Sequence, residues 1–300
     1  MNMSETNGMN TKEACKVFET ISSLRKTMAP LRHPGKSIGF VPTMGALHEG
    51  HRSLLEKSVS ENDYTVASIF VNPIQFGPNE DLDKYPRSFD NDVALCNEVG
   101  VDFIFHPSPE EMYTEGFSVF VDSEAMTDVM CGRSRPGHFR GVMTVVNKLF
   151  NIVQPDRAYF GEKDAQQLAV IKKMVRDMNT PIEIVGCPTV RENDGLAKSS
   201  RNTYLSDSDR NSATCLYRAL CMGRQLAVSG ERDASKIIKT VTDEISVEKS
   251  ARIDYVDMLD AMTLGKVSNK TTYVLLATSV YFDTTRLIDN VMFEWNGPAG

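Results

Sequence analysis

Three hundred residues give room for one large domain or two ordinary ones, and 41% hydrophobic with 24% charged residues is the composition of a globular chain. A formal net charge of −7 argues against a broad nucleic-acid surface, which needs a basic face, but leaves room for a local anion pocket. No apolar run is long enough to span a bilayer and the N-terminus carries no signal-peptide core, so the expected place is the cytoplasm. Cys15, Cys96, Cys131, Cys187, Cys215 and Cys221 are scattered without a C-x-x-C pair, which indicates reduced thiols rather than zinc or disulfides.

In chain order, residues 1–11 read as a polar, disordered lead-in. Ala14, Val17, Phe18, Ile21, Leu24 and Met28 follow helical spacing, which predicts one amphipathic helix over 12–28. A strand over 37–41 leads into the turn Pro42-Thr43-Met44-Gly45-Ala46-Leu47-His48-Glu49-Gly50-His51, and a helix continues to about Asp63. Tyr64 to Val71 is a continuous apolar, β-branched run, as expected of a buried parallel strand. A helix over 88–99, a strand over 101–106, an irregular segment over 107–136 and a helix over 142–153 come next. A strand over 157–160, a helix running to about Met178 and a strand over 182–187 complete an α/β pattern. Parallel strands joined through helices predict a doubly wound sheet. Beyond Ser206 the character changes to helices over 207–228 and 234–247, then strands over 253–259, 272–282 and 286–293. That run predicts a smaller α+β unit. The expected division is 12–189 and 190–300, the junction lying near 188–206.

Two of the five histidines, His48 and His51, fall in the first turn. At a helix start they would add imidazoles to the free N–H groups and positive dipole end, a setting for phosphate. Zinc would be better served by H-E-x-x-H. An isolated H-x-G-H also suits ordinary surface residues, so the neighbours must decide. Asn72 and Gln75 follow the second strand, at the carboxyl end where open sheets bind ligands. Gly161-Glu162-Lys163-Asp164 repeats the strand–glycine–polar–helix arrangement; Lys163 could reach a phosphate, and Asp164 is a candidate N-cap. Lys198-Ser199-Ser200-Arg201 offers hydroxyls and cations at the expected domain junction.

H-x-G-H with a K-x-S-K-like loop marks the nucleotidylyltransferase and class I aminoacyl-tRNA synthetase superfamily, of Rossmann-like fold. The ordered blocks PTMGALHEGH, SIFVNPIQFGPNEDLDKYPR, RPGHFRGVMTVVNKLFNIVQPDRAYFGEKDAQQL and LAKSSRNTYLS resemble, within it, the pantoate–β-alanine ligase family. The resemblance runs from about Gly39 to the C-terminus. It implies a two-step reaction: ATP and pantoate give pantoyl adenylate and pyrophosphate, and β-alanine then displaces AMP to form pantothenate. By the same resemblance His51 is the proton donor, with His48, Lys163 and Arg201 on the phosphates. Met44, Gly45, Gly161, Asp164, Val190, Lys198, Ser199 and Ser200 would complete the ATP site. Gln75 and Gln167 would hold pantoate, and Asn72, Arg135 and His138 would join them around the two acids. Asp92 would position Mg2+, and the expected assembly is a homodimer. Two positions depart from the family pattern. Lys198 stands where an apolar residue is usual, and Asn91 replaces one of two carboxylates on the magnesium side. A nucleotidylyltransferase of the same fold, or a nucleotide-binding regulator, are the alternative readings. The glutamine pair and the presence of His48, His51, Lys163 and Arg201 argue against them.

Overall fold

The larger sheet of this computed structural model, which describes residues 14–78 and 80–295, is parallel throughout. The lead-in expected over 1–11 lies outside the described residues. The strands are β1 (Lys16–Phe18), β2 (Ile38–Thr43), β3 (Tyr64–Ile69), β4 (Phe103–Phe105), β5 (Arg157–Gly161) and β6 (Glu183–Cys187). They lie in the order β1-β4-β3-β2-β5-β6. Between and after them run α1 (Ile21–Met28), α2 (Glu49–Glu61), α3 (Phe89–Val99), α4 (Pro109–Met112), α5 (Met130–Ser134), α6 (His138–Val153) and α7 (Ala165–Asp177). Successive residues of β2 point to opposite faces, as a pleated strand requires. Phe40 joins a core with Leu24, Val142, Phe150 and Ile171, whereas Val41 joins Leu54, Leu55 and Cys96. Helices α1, α6 and α7 therefore cover one face and α2 and α3 the other, the expected double winding.

The chain builds outward from β2 to β3 and β4, then crosses back to place β5 on the other side of β2. The loops leaving β2 and β5 thus part at their carboxyl ends, and a crevice opens at this switch point.

The second unit carries α8 (Asp207–Ser212), α9 (Cys215–Val228), α10 (Ala234–Ile245) and an antiparallel sheet of β7 (Ala251–Asp260), β8 (Tyr273–Phe282) and β9 (Thr285–Glu294). Its own core joins Leu216, Leu220, Ile237, Val241, Leu276 and Phe293. Tyr255, Leu275 and Ala277 reach the other way, into the core of the larger sheet.

Four expectations need correction, the first being the single helix foreseen over 207–228, which breaks at 213–214 into α8 and α9. The helix foreseen over 12–28 is a strand and a helix: Lys16–Phe18 pairs with Phe103–Phe105 at the sheet edge, and the Thr20 hydroxyl caps α1 by accepting from the Ser23 N–H. The segment over 107–136 contains the short helices α4 and α5. Helix α6 begins four residues early, at His138, because Gly137 turns the chain in the left-handed region, φ 81°.

Candidate active site

At the end of β2 the turn is tightly wound: Gly45 and Ala46 both have positive φ, 85° and 50°. A Cβ on Gly45 would lie 2.9 Å from the Asp92 carboxylate. That carboxylate, projecting from the first turn of α3, accepts the Ala46 N–H (2.9 Å) and the Leu47 N–H (2.7 Å). Asp92 is 2% exposed. The expectation that it positions magnesium is therefore corrected: both oxygens are engaged by backbone, and the residue fixes the turn. Burial raises its pKa, with the two amides and Ser88 opposing.

His48 is the N-cap of α2 and His51 its third residue. His48 Nδ1 accepts the Gly50 N–H (3.1 Å), and His51 Nδ1 accepts the His48 N–H (3.3 Å). The imidazoles thereby form a capping box in which rings replace the usual hydroxyl and carboxylate. Their centroids are 4.2 Å apart. Burial lowers the pKa of His48 to about 4, helped by Lys163, and that of His51 to about 3, helped by His48 and Lys163. Both are neutral at physiological pH with Nδ1 as acceptor, so the proton is on Nε2. The site presents two neutral N–H donors.

Opposite, β5 delivers Gly161 and a 3-10 turn, Glu162–Asp164, before α7. Asp164 occupies the expected N-cap position, but its side chain accepts no capping bond. The Asn290 amide, on β9, donates to the Glu162 and Lys163 carbonyls (3.0 Å each) and so pins this turn to the second unit. Its neighbour Asp289, 2% exposed, takes both arms of Arg191 at 2.7 and 2.9 Å.

Between the two units lies a cavity of about 1010 Å³, lined among others by Lys163, Asp164, Gln167, Ser199, Arg201, Arg135 and His138. These are seven of the eighteen predicted site residues; His48 and His51 are not among its lining, and Met44, Gly45 and Asp92 line a second cavity. Arg201 is held by Asp81, Nε and Nη2 each donating over 3.0 Å, with the Tyr85 ring beside it. Arg135 donates from Nε and Nη2 to Glu80 at 2.7 and 2.5 Å. His138 Nδ1–H donates to the Gln75 carbonyl (2.8 Å), leaving Nε2 to accept from Arg135 Nη1 (3.1 Å). Burial and the adjacent guanidinium lower the His138 pKa to about 4. Burial pushes the Glu80 carboxyl up, but Arg135 more than offsets it and the net pKa is lowered.

Other predicted residues lie elsewhere. Asn72 is 1% exposed. Its amide donates to Gln75 Oε1 (3.0 Å) and to the Gly141 carbonyl (3.2 Å), and accepts from Tyr113 (2.7 Å). With its donor and acceptor sides both engaged inward, Asn72 is corrected from an acid-binding residue to a support for Gln75. Gln75 itself donates to the Met44 sulfur (2.9 Å). The Val190 carbonyl is spent on the Lys198 N–H (2.9 Å). Lys198 bridges Glu192 (2.9 Å) and Glu49 (3.3 Å), so this departure ties the late loop to the histidine helix. Sequence reading missed the roles of Glu80, Asp81, Gln166 and Asn290. The Gln166 amide accepts the Cys131 N–H and donates to the Met126 and Val129 carbonyls, fixing one wall. Only Asp81 and its neighbours, in an acidic stretch before Tyr85, left a signal.

Among the described residues no group of three or more His, Cys, Asp or Glu side chains is arranged to hold a metal. Glu80, Asp81 and Asp92 are already paired, whereas Asp164 stands on the cavity wall, half-exposed, its nearest cation Lys163 at 3.7 Å. One carboxylate suits Mg2+ carried on phosphates, which keeps most of its ligands from phosphate and water.

A doubly wound sheet whose switch point carries a histidine-capped helix start and a lysine turn defines a nucleotide-binding α/β enzyme. The profile of the family described as Pantoate-beta-alanine ligase matches residues 16–292. The chain belongs to this family. A pantothenate synthetase of Caldicellulosiruptor saccharolyticus is 57% identical over 278 residues, 93% of this chain and 99% of the relative. The crystal structure of pantothenate synthetase from Thermus thermophilus superposes with a TM-score of 0.86 at 46% identity, covering 92% of this chain and 98% of that one. The pantoate-beta-alanine ligase of Francisella tularensis, complexed with beta-gamma ATP and beta-alanine, gives 0.75 at 34% identity over 95% and 100%.

Proposed function

We propose that this chain joins pantoate to β-alanine at the expense of ATP, through pantoyl adenylate, with pyrophosphate and then AMP released. The observation that carries the reading is the pairing of two phosphate seats, His48–His51 and Lys163, at neighbouring strand ends, with Arg201 lining the same cavity as Lys163. In the first step a pantoate carboxylate oxygen attacks the α-phosphorus and the bond to pyrophosphate breaks. Charge builds on the transferring and leaving phosphates, where the Nε2–H donors, the α2 N-terminus, Lys163 and Arg201 are placed to meet it. Met44, Gly45, Gly161, Ser199 and Ser200 complete the ATP site, with the Val190 and Lys198 backbones closing its edge. Gln75 and Gln167 hold pantoate. A sulfur is a weak acceptor, so the Gln75 amide exchanges Met44 for a substrate oxygen at gain. Neutral amides leave the attacking carboxylate its charge.

In the second step the neutral amine of β-alanine attacks the acyl carbon and AMP departs. Arg135 and His138 are the groups for its carboxylate. Magnesium neutralises phosphate charge when bound; Asp164 is the carboxylate offered to it. Residues 12–189 form the ATP- and pantoate-binding unit and 190–300 the unit that closes it. The enzyme acts in the cytoplasm as a homodimer.

The test is AMP release from ATP, magnesium and pantoate, with and without β-alanine. β-Alanine-dependent AMP is expected. Pyrophosphate release with no β-alanine effect would indicate another acceptor and sink the ligase reading.

A further inference from the structure

Glu80 occupies Arg135 in a way that a simple surface ion pair does not. Both residues line the cavity, and their side chains are only 23% and 16% exposed. Two parallel N–H···O bonds join them at 2.7 and 2.5 Å, the fork-to-carboxylate geometry of a bound acid. The remaining edge of the guanidinium, Nη1, is on His138 Nε2 at 3.1 Å. The Nε/Nη2 edge of Arg135, the one that grips a carboxylate side-on, is therefore occupied by Glu80, and one Nη1 N–H is on His138. Glu80 itself is carried on a tight turn, its N–H bonded to the Gly77 carbonyl (3.1 Å). That turn belongs to the surface stretch between Gly77 and Arg87, not to the sheet or a long helix. Arg201 is gripped by Asp81 through the same pair, Nε and Nη2, at 3.0 Å each; what sets Arg135 apart is the further bond from its Nη1 to His138.

A bidentate arginine suits one substrate acid better than the other. Pantoate's carboxylate must attack phosphorus, and two charge-assisted bonds would hold the electrons it has to donate. β-Alanine reacts through its amine, and its carboxylate is a spectator that can be clamped without loss of reactivity. We propose that Glu80 is an internal stand-in for the β-alanine carboxylate: it holds Arg135 in place until the second substrate takes over the same two N–H groups, and thereby sets the concentration of β-alanine needed. This rests on the ligase reading and on Arg135 as the acid seat. Glu80 acts through Arg135 and is a positioning residue.

If the arginine is open for about a tenth of the time, apparent affinity is lowered about tenfold, and removing the competitor restores it. The experiment measures KM for all three substrates, kcat and pyrophosphate release without β-alanine, for the unaltered chain and for Glu80→Gln, Glu80→Asp and Glu80→Ala. Expected is a fall of about tenfold in the β-alanine KM for Glu80→Gln and Glu80→Ala, with ATP and pantoate KM unchanged and little change for Glu80→Asp. An unchanged or increased β-alanine KM in the Gln and Ala variants overturns the proposal, since a residue that merely braces Arg135 can only weaken binding when lost. Thermal melting of each variant separates folding from competition. Arg135→Met should raise the β-alanine KM; no effect there removes the seat and the proposal with it. Absence of pyrophosphate release from the unaltered chain would instead strike at the ligase reading.

Discussion

His51 brings together the residue-scale features of the site. Its Nδ1 is spent on the His48 N–H, and its burial keeps the ring neutral down to a pKa of about 3. The proton-donor role proposed for His51 would therefore fall to an uncharged Nε2–H in the free protein, a hydrogen-bond donor before it is an acid. His51→Ala should lower adenylate formation by ~10²–10⁴ while pantoate binding changes little, as measured by single-turnover pyrophosphate release and equilibrium binding. A loss below about tenfold would show that the role lies elsewhere. The same neutrality separates His51 from an ordinary exposed histidine. No feature of the H-x-G-H spacing disclosed it, because it depends on how α2 packs.

The β2–α2 turn is the element on which these rings depend. Its left-handed residues are stabilised by Asp92, a side chain more than forty positions along the chain. Gly45→Ala would combine an unfavourable φ with a Cβ 2.9 Å from that carboxylate. The expected loss is about 1–3 kcal/mol in stability, read from the urea midpoint, together with a raised ATP KM. Local signals were legible here: Pro42 and Gly45 marked the turn, and the apolar run at 64–71 marked β3. The long-range partners were not. Asp92 looked like a metal ligand because its carboxylate is in the right stretch, and only the fold shows that two amides already use it. Likewise Val17 and Phe18 fit a helical period with Ile21 and Leu24, but pairing with β4 outweighs that pattern at the sheet edge. Asn290 lies in an ordinary alternating strand; its contact with the lysine turn spans 127 positions.

For the whole molecule, three partly buried, neutral histidines set a pH dependence. His48, His51 and His138 all have folded pKa values depressed below the unfolded value of about 6.5. Above that value both states are neutral and the rings cost nothing. As pH falls below it the unfolded chain binds protons that the folded chain refuses, so stability is lost from about pH 6.5 down towards pH 4. Each ring should remove roughly 2 kcal/mol by pH 5. Urea titrations at pH 7 and pH 5 should therefore show a lower midpoint at pH 5. A midpoint independent of pH would mean that these rings protonate freely in the folded state. The doubly wound architecture and the later α+β unit were readable from periodicity and from the change of pattern after Ser206. A cleft at their junction beside Lys198–Arg201 was expected too, but its other walls were not, because they come from distant parts of the chain, around Glu80, Arg135 and Asp289.

The two bonds from Asn290 to the carbonyls of Glu162 and Lys163 give the lysine turn a second anchorage. By covalent connection that turn is a continuation of β5, but by hydrogen bonding it hangs from β9. A rigid swing of the antiparallel sheet against the parallel one must either carry Lys163 along or break both bonds. The ammonium group is thus slung like a bridge deck between two piers, and its height above the histidine turn is a gauge of how far apart those piers stand.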